Sequence, residues 1–148
     1  MMAKSGVYGA KDVQRAFRQI AKSLKRPVNE ASRFALQPIL AAAKANTTHA
    51  SVKKALVMKQ GKAPKDRLTY DVGGDPKNPD YRLLHLLEFG VEPHKIGNIN
   101  HPGHAAQPFL TPAFTEHGAE AIKRFGEKIG PAMEKQAARL AKKHGGGQ

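Results

Sequence analysis

The chain has 148 residues, 40% of them hydrophobic, and carries 25 Lys+Arg against 12 Asp+Glu, a formal net charge of +13. That length suits one domain and can bury roughly 70% of its unfolded surface, so a self-standing core is expected. Cysteine is absent, which removes disulfides, thiolate metal sites and cysteine nucleophiles together. No apolar run reaches about 18 residues and the N-terminus has no apolar signal core, so neither secretion nor membrane spanning is expected. The positive excess favours a polyanion or an acidic protein surface as partner.

The first nine residues and residues 144–148 are small or polar and read as loose ends. A first helix is predicted over residues 10–24. Val13, Ala16, Phe17, Ile20 and Leu24 recur at helical spacing and predict a buried stripe. Lys11, Arg15, Arg18, Lys22, Lys25 and Arg26 cluster on the opposite side. They form a ridge of one sign that is either a solvated face or a surface for an anion. Pro27 fits the first position of a second helix. This helix carries Val28, Ala31, Ala35, Ile39 and Ala42 on one stripe, with Phe34 and Leu36 beside it. Pro38 lies within the pattern and is expected to kink or divide it.

Beyond a polar turn, Leu68, Tyr70 and Val72 alternate with polar residues, the period of a half-buried strand. Residues 56–60 are its expected antiparallel partner, with a helical turn possible just before them. A third helix is punctuated by Asn78 as cap, Pro79 and Asp80 in its first turn, and Gly90 as its stop. Leu83, Leu84 and Leu87 make its apolar face, with Leu86 at the edge. Glu88 is anomalous, because a carboxylate in the last turn meets the negative end of the helix dipole. A cationic or donor partner is therefore expected, with His94, Lys95 or an arginine of a neighbouring subunit as candidates.

Residues 91–110 form a long connection without clear period, a length that is uncommon in compact domains and often functional. Thr111 and Pro112 read as N-cap and first residue of a long last helix, which Gly130-Pro131 should kink or split. Its drifting stripe is Phe114, Ala121, Ile122, Phe125, Ile129, Met133 and Leu140.

His94, His101 and His104 lie close in sequence, and neutral imidazole is a common metal ligand. Their spacing is not that of a helical His-Glu-x-x-His pair, and no carboxylate beyond Glu92 completes a set. "HKIGNINH" is faintly similar to a metal-dependent nuclease loop but lacks the rest of that frame. No serine–histidine–carboxylate arrangement is recognisable, and the few aromatic residues fall on helix stripes rather than among exposed basic residues. "HPGHAAQPFLTPAF" instead reads as a stiff peptide. Pro108 holds Gln107 extended, and Phe109 and Leu110 project as an anchor on the chain's own core or on a neighbour.

"LLEFG", then "EPH", an insertion, "HPGHAAQPFLTPAF" and a long terminal helix together resemble the tail-completion or minor tail-component proteins of long-tailed bacteriophages, parts of the head–tail neck. The matching positions are Glu88, Phe89 and Gly90, then Pro108, Phe109, Leu110, Pro112 and Ala113. Val91 stands where many relatives carry Thr or Ser, and Thr111 where many carry Arg. The resemblance implies an α+β fold with a small antiparallel sheet packed against long N- and C-terminal helices. It implies a structural virion protein without catalysis or cofactor, assembled as a homo-oligomeric ring around the DNA path. Its implied partners are further copies of itself and head-connector and tail-terminator or tail-tube proteins, with Glu88, Phe89, Pro108, Phe109 and Leu110 as candidate subunit or neighbour contacts. Lys11, Arg15, Arg18, Lys22 and Arg26 become candidates to face genomic DNA or an acidic neighbouring ring. The alternative is a basic cytoplasmic nucleic-acid-binding protein. A metal-dependent nuclease using His101 ranks third.

Overall fold

A computed structural model describes residues 9–64 and 67–145. The fold is α+β, with long N- and C-terminal helices and two small antiparallel sheets. In chain order the elements are α1 (Ala10–Asn46), α2 (Ala50–Ala55), β1 (Leu56–Gln60), β2 (Tyr70–Gly74), α3 (Tyr81–Phe89), β3 (His94–Ile96), β4 (Ile99–His101) and α4 (Leu110–Gly145). The expectation of loose ends falls mostly outside the described residues; His144 and Gly145 belong to α4.

The two long helices form the largest packing interface between elements. They run antiparallel, because Asn46 meets Phe109 at one end and Arg124 meets Phe34 further along. Ala31, Ala35 and Ala43 are buried on α1, and the absence of larger side chains lets the helices approach closely. The core lies around the C-terminal half of α1. There Ile39 and Ala43 meet Val52, Ala55 and Leu56, Val72 of β2, Leu84 and Leu87 of α3, and Phe109, Ala113 and Ala121.

The expected division of the helices at their prolines is corrected. Pro27 and Pro38 lie within one continuous 37-residue helix, and Pro131 lies within a 36-residue one; neither helix is divided. For Pro38 the physical reason is visible. A proline has no N–H for the carbonyl four residues earlier, here that of Phe34. The Arg124 guanidinium supplies the missing donors, with Nε at 3.1 Å and Nη2 at 3.0 Å from the Phe34 oxygen. The same guanidinium lies 4.0 Å from the centre of the Phe34 ring. One arginine thus satisfies the proline's orphaned carbonyl and ties α4 to α1.

The stripe expectations are also corrected in part. Val13 is 54% exposed and Phe17 67%, because the core begins farther along α1. On α4 only Ala121 of the expected stripe is buried, and Ile122 is 78% exposed.

β1 and β2 pair antiparallel, with Leu56 opposite Gly74 and Met58 opposite Val72. Leu68 lies just before the strand rather than in it. The connection over residues 91–110 holds a hairpin that was not anticipated. His94 pairs with His101 and Ile96 with Ile99 around the two-residue turn Gly97-Asn98, with Gly97 at φ 61°. A bridge between Val91 and His104 closes the hairpin's base. Two-residue turns opened by glycine match the twist of a hairpin.

Candidate functional site

The stretches Glu88–Gly90 and Pro108–Ala113 are separated by the hairpin in sequence and joined in space by Glu88. Its side chain is buried at the end of α3. One carboxylate oxygen accepts the backbone N–H groups of Phe109 at 2.8 Å and Leu110 at 2.9 Å. The other accepts the Thr111 N–H at 2.8 Å and the Thr111 hydroxyl at 2.6 Å. The three N–H groups are donors that the start of α4 leaves without intrahelical partners. Glu88 is therefore the cap of α4, supplied from another helix, and its negative charge sits where the α4 dipole favours it.

That resolves the anomaly of a carboxylate at the wrong end of α3. The partner within the chain is a set of donors rather than His94 or Lys95, and Thr111 is a ligand of the cap rather than the cap itself. Burial pushes the Glu88 carboxyl upward. The Thr111 hydroxyl and the N–H groups of Phe109, Leu110 and Thr111 together outweigh this and hold its pKa below the usual carboxylate range.

Gly90 lets the chain leave this junction. Its backbone is at φ 75°, ψ 178°, a region essentially restricted to glycine. A Cβ there would stand 2.7 Å from the Ala106 nitrogen and 2.9 Å from the His104 oxygen. The returning strand-like segment runs directly over this position, with the Gln107 N–H donating to the Leu87 carbonyl at 2.7 Å. The segment then plunges inward at Phe109, which is 1% exposed. The Asn46 side chain donates to the Phe109 carbonyl at 3.1 Å, tying the end of α1 to the same point. Sequence reasoning missed Asn46 and Arg124, since nothing local marks a side chain that serves a distant carbonyl.

The residues expected to contact neighbours therefore divide. Glu88 and Phe109 are buried inside the chain, Phe109 as the anchor on its own core, so neither is presented as a contact to a neighbour. Phe89 and Pro108 are exposed, and Leu110 is half-buried. Phe89 belongs to a groove of about 800 Å³ between α3 and the start of α4. Tyr81, Leu86 and Phe114 also line it and are 45%, 42% and 42% exposed. The Phe89 ring rests 4.9 Å from that of His85.

The basic ridge is solvent-facing throughout: Lys11, Arg15, Arg18, Lys22 and Arg26 are all exposed. Arg15 reaches Asp12 at 3.8 Å and Arg26 reaches Glu30 at 3.0 Å, both in exposed pairs that neutralise little. Among the described residues Lys11, Arg18 and Lys22 make no ion pair, so the ridge presents a strong positive field.

The histidines are built into the hairpin. His94 Nδ1 donates to the Glu92 carbonyl at 2.9 Å, and His104 Nδ1 donates to that of Ala105 at 3.1 Å. His101 Nδ1 accepts the Gly103 N–H at 3.1 Å. The rings of His94 and His101 lie 5.0 Å apart as cross-strand partners. Among the described residues no three His, Asp or Glu side chains converge to hold a metal ion. Among them, too, no helix is long and apolar enough to cross a membrane.

Comparison of the chain with protein-family models, with curated proteins and with solved structures finds no match.

Proposed function

We propose that this chain is a structural virion protein of a tailed phage. It completes the tail end or neck and enables head–tail joining, as an oligomeric ring around the DNA path. It has no catalytic role. The observation that carries the reading is the Glu88 junction. The residues behind the family resemblance meet as one unit, in which Glu88 accepts four hydrogen bonds from Phe109, Leu110 and Thr111. Such a unit holds a scaffold in shape, because both Glu88 oxygens are taken up by the start of α4. The exposed aromatic groove beside it supplies surface for a neighbour. The ridge on α1 supplies a face for phosphate backbone or for an acidic ring.

The test is an infection by phage lacking the gene. Filled heads and unattached tails are the expected products by electron microscopy. Normal, infectious, joined particles would remove the role. The ridge also favours a second reading, a basic nucleic-acid-binding protein. In that case the purified monomer binds DNA without sequence preference and loses affinity steeply with salt.

A further inference from the structure

The positive charge of this chain is gathered at one end of its long helix pair. Residues 10–33 of α1 and residues 123–145 of α4 each hold seven Lys+Arg and two acids, a net +5 apiece. The rest of the chain carries only +3 of the total +13. The two stretches lie side by side, since Ser23, Arg26 and Glu30 of α1 share an open groove with Ala132, Lys135 and Arg139 of α4. We infer that this groove seats the phosphate backbone of double-stranded DNA without regard to base sequence. The inference rests on the proposed place beside a DNA path. It adds a second row of cations, on α4, and the form of nucleic acid that the row meets.

The α4 row is separate from the ridge on α1. Lys128, Lys135, Arg139 and Lys142 fall at i, i+7, i+11 and i+14, one face of a helix, with Ala132 in the remaining position. All four cations are exposed, and among the described residues none of them makes an ion pair. The Lys128 ammonium lies 5.7 Å from the centre of the Phe34 ring. Lys135, Arg139 and Lys142 repel one another along the helix, and no partner within the fold offsets this. Glu127 and Glu134 each precede a lysine of the row by one residue, which turns them about 100° away around the helix. Arg26 stands across the groove, with Lys22 one turn earlier on α1, and both are exposed. The acid on the rim, Glu30, is 3.0 Å from Arg26.

The lining selects the partner. Between its charged rims the groove holds only small or amide side chains, Ser23, Pro27, Ala132 and Gln136. It has no aromatic residue and no large apolar anchor. The cores of protein–protein interfaces are poor in charge and rich in aromatic residues, whereas protein–DNA interfaces are polar and strongly positive. An acidic protein surface is thus the poorer fit. Single strands are held by stacking their bases on aromatic side chains, which this groove does not offer. From Lys128 to Lys142 the row spans about 21 Å at 1.5 Å per residue, a length over which each strand of a B-form duplex carries about six charges. Contacts from such a row go to phosphate oxygens and carry no sequence information.

The test compares the full-length wild type with two triple variants. One is Lys135→Gln, Arg139→Gln and Lys142→Gln, in the groove. The control is Lys53→Gln, Lys77→Gln and Lys95→Gln, which removes the same charge from exposed positions elsewhere. Equal net charge in the two variants makes any difference between them a matter of position. Circular dichroism melting first checks that each is folded. Fluorescence anisotropy then follows two labelled duplexes of unrelated sequence, about 20 base pairs long, through a salt series. Wild type should bind both alike, with affinity that falls steeply as salt rises. The groove variant should bind about tenfold or more weakly and lower the slope of log affinity against log salt by about 3. Arg139→Gln alone should lower it by about 1, which keeps the test decisive if the triple variant melts early. The control should stay near wild type. Equal losses in both triple variants, a clear preference between the two duplexes, or tighter binding of a single strand would overturn the inference. So would a wild type that binds polyglutamate through the groove and leaves duplex free, which would assign the groove to an acidic protein. Duplex binding together with normal joined particles in the deletion infection would keep the groove and remove the neck role. No duplex binding, with filled heads and unattached tails, would do the reverse.

Discussion

Replacing Glu88 probes the junction on which the fold and the proposed role both depend. Glu88→Ala leaves four donors without their acceptor. The Phe109 N–H is buried, and an unsatisfied buried donor costs about 1–3 kcal/mol. Leu110 and Thr111 lie nearer solvent, so water replaces part of their bonding. The lost cap adds about 1 kcal/mol, and the lost charge at the α4 N-terminus roughly 0.3–1 kcal/mol. Relief from burying a carboxylate offsets some of this. A net loss of about 2–4 kcal/mol is expected, which lowers the melting temperature by roughly 4–16 °C for a chain of this size. Glu88→Gln keeps one acceptor oxygen and should lose about half as much. The pH dependence has a definite sign. The folded-state pKa of Glu88 is depressed, so its contribution is fully present above the unfolded value and is lost as pH falls through the folded one. The stability gap between wild type and Glu88→Gln should be constant near neutrality and shrink below about pH 4. Urea denaturation at a series of pH values reads both quantities. Equal midpoints at pH 7, or a gap that persists unchanged in acid, would refute the capping role.

Other perturbations follow the same physics. Gly90→Ala combines a disfavoured positive φ with backbone contacts to Ala106 and His104, and should cost about 2 kcal/mol or more in chemical denaturation. Phe109→Ala empties the site of the largest fully buried side chain and should cost about 3–5 kcal/mol. A double-mutant cycle tests the link between Arg124 and Pro38. Pro38→Ala restores an N–H to the Phe34 carbonyl, so Arg124→Ala should cost less in that background than in wild type, with a coupling of about 0.5–3 kcal/mol. Strict additivity would count against the arginine's role as substitute donor. Reversing the charges of Arg15, Arg18 and Lys22 should leave melting by circular dichroism near native and reduce infectious titre. Undiminished titre would mark the ridge as a solvated face.

Much of the architecture was legible because local chemistry and tertiary need agree there. Alternation around Tyr70 and Val72 gave the sheet, and Gly90 ends the third helix as expected, while its N-cap is Asp80 rather than Asn78, whose side chain holds the turn just before it. The misreadings have specific causes. A proline within a helical pattern reads as a break, yet the Phe34 carbonyl it orphans is served by Arg124, 90 residues away. Periodicity at Val13 and Phe17 identifies an apolar face but not what covers it. The hairpin escaped notice because three-residue strands are too short to display a period. Its turn signal, glycine and asparagine between two isoleucines, was present but overshadowed by the neighbouring histidines. Glu88 was legible as a charge in need of a partner. That the partner is the start of α4 depends on the hairpin folding the two motif halves together.

The proposed role is tested most directly by supplying the purified chain to what an infection without it leaves behind. Filled heads and tails from a deletion infection are mixed with wild-type protein, and infectious titre is measured against a mixture without it. Restored titre, with joined particles in the microscope, is the result that the neck role predicts. Joining that proceeds equally well without the protein, or a titre that it fails to raise, would contradict it.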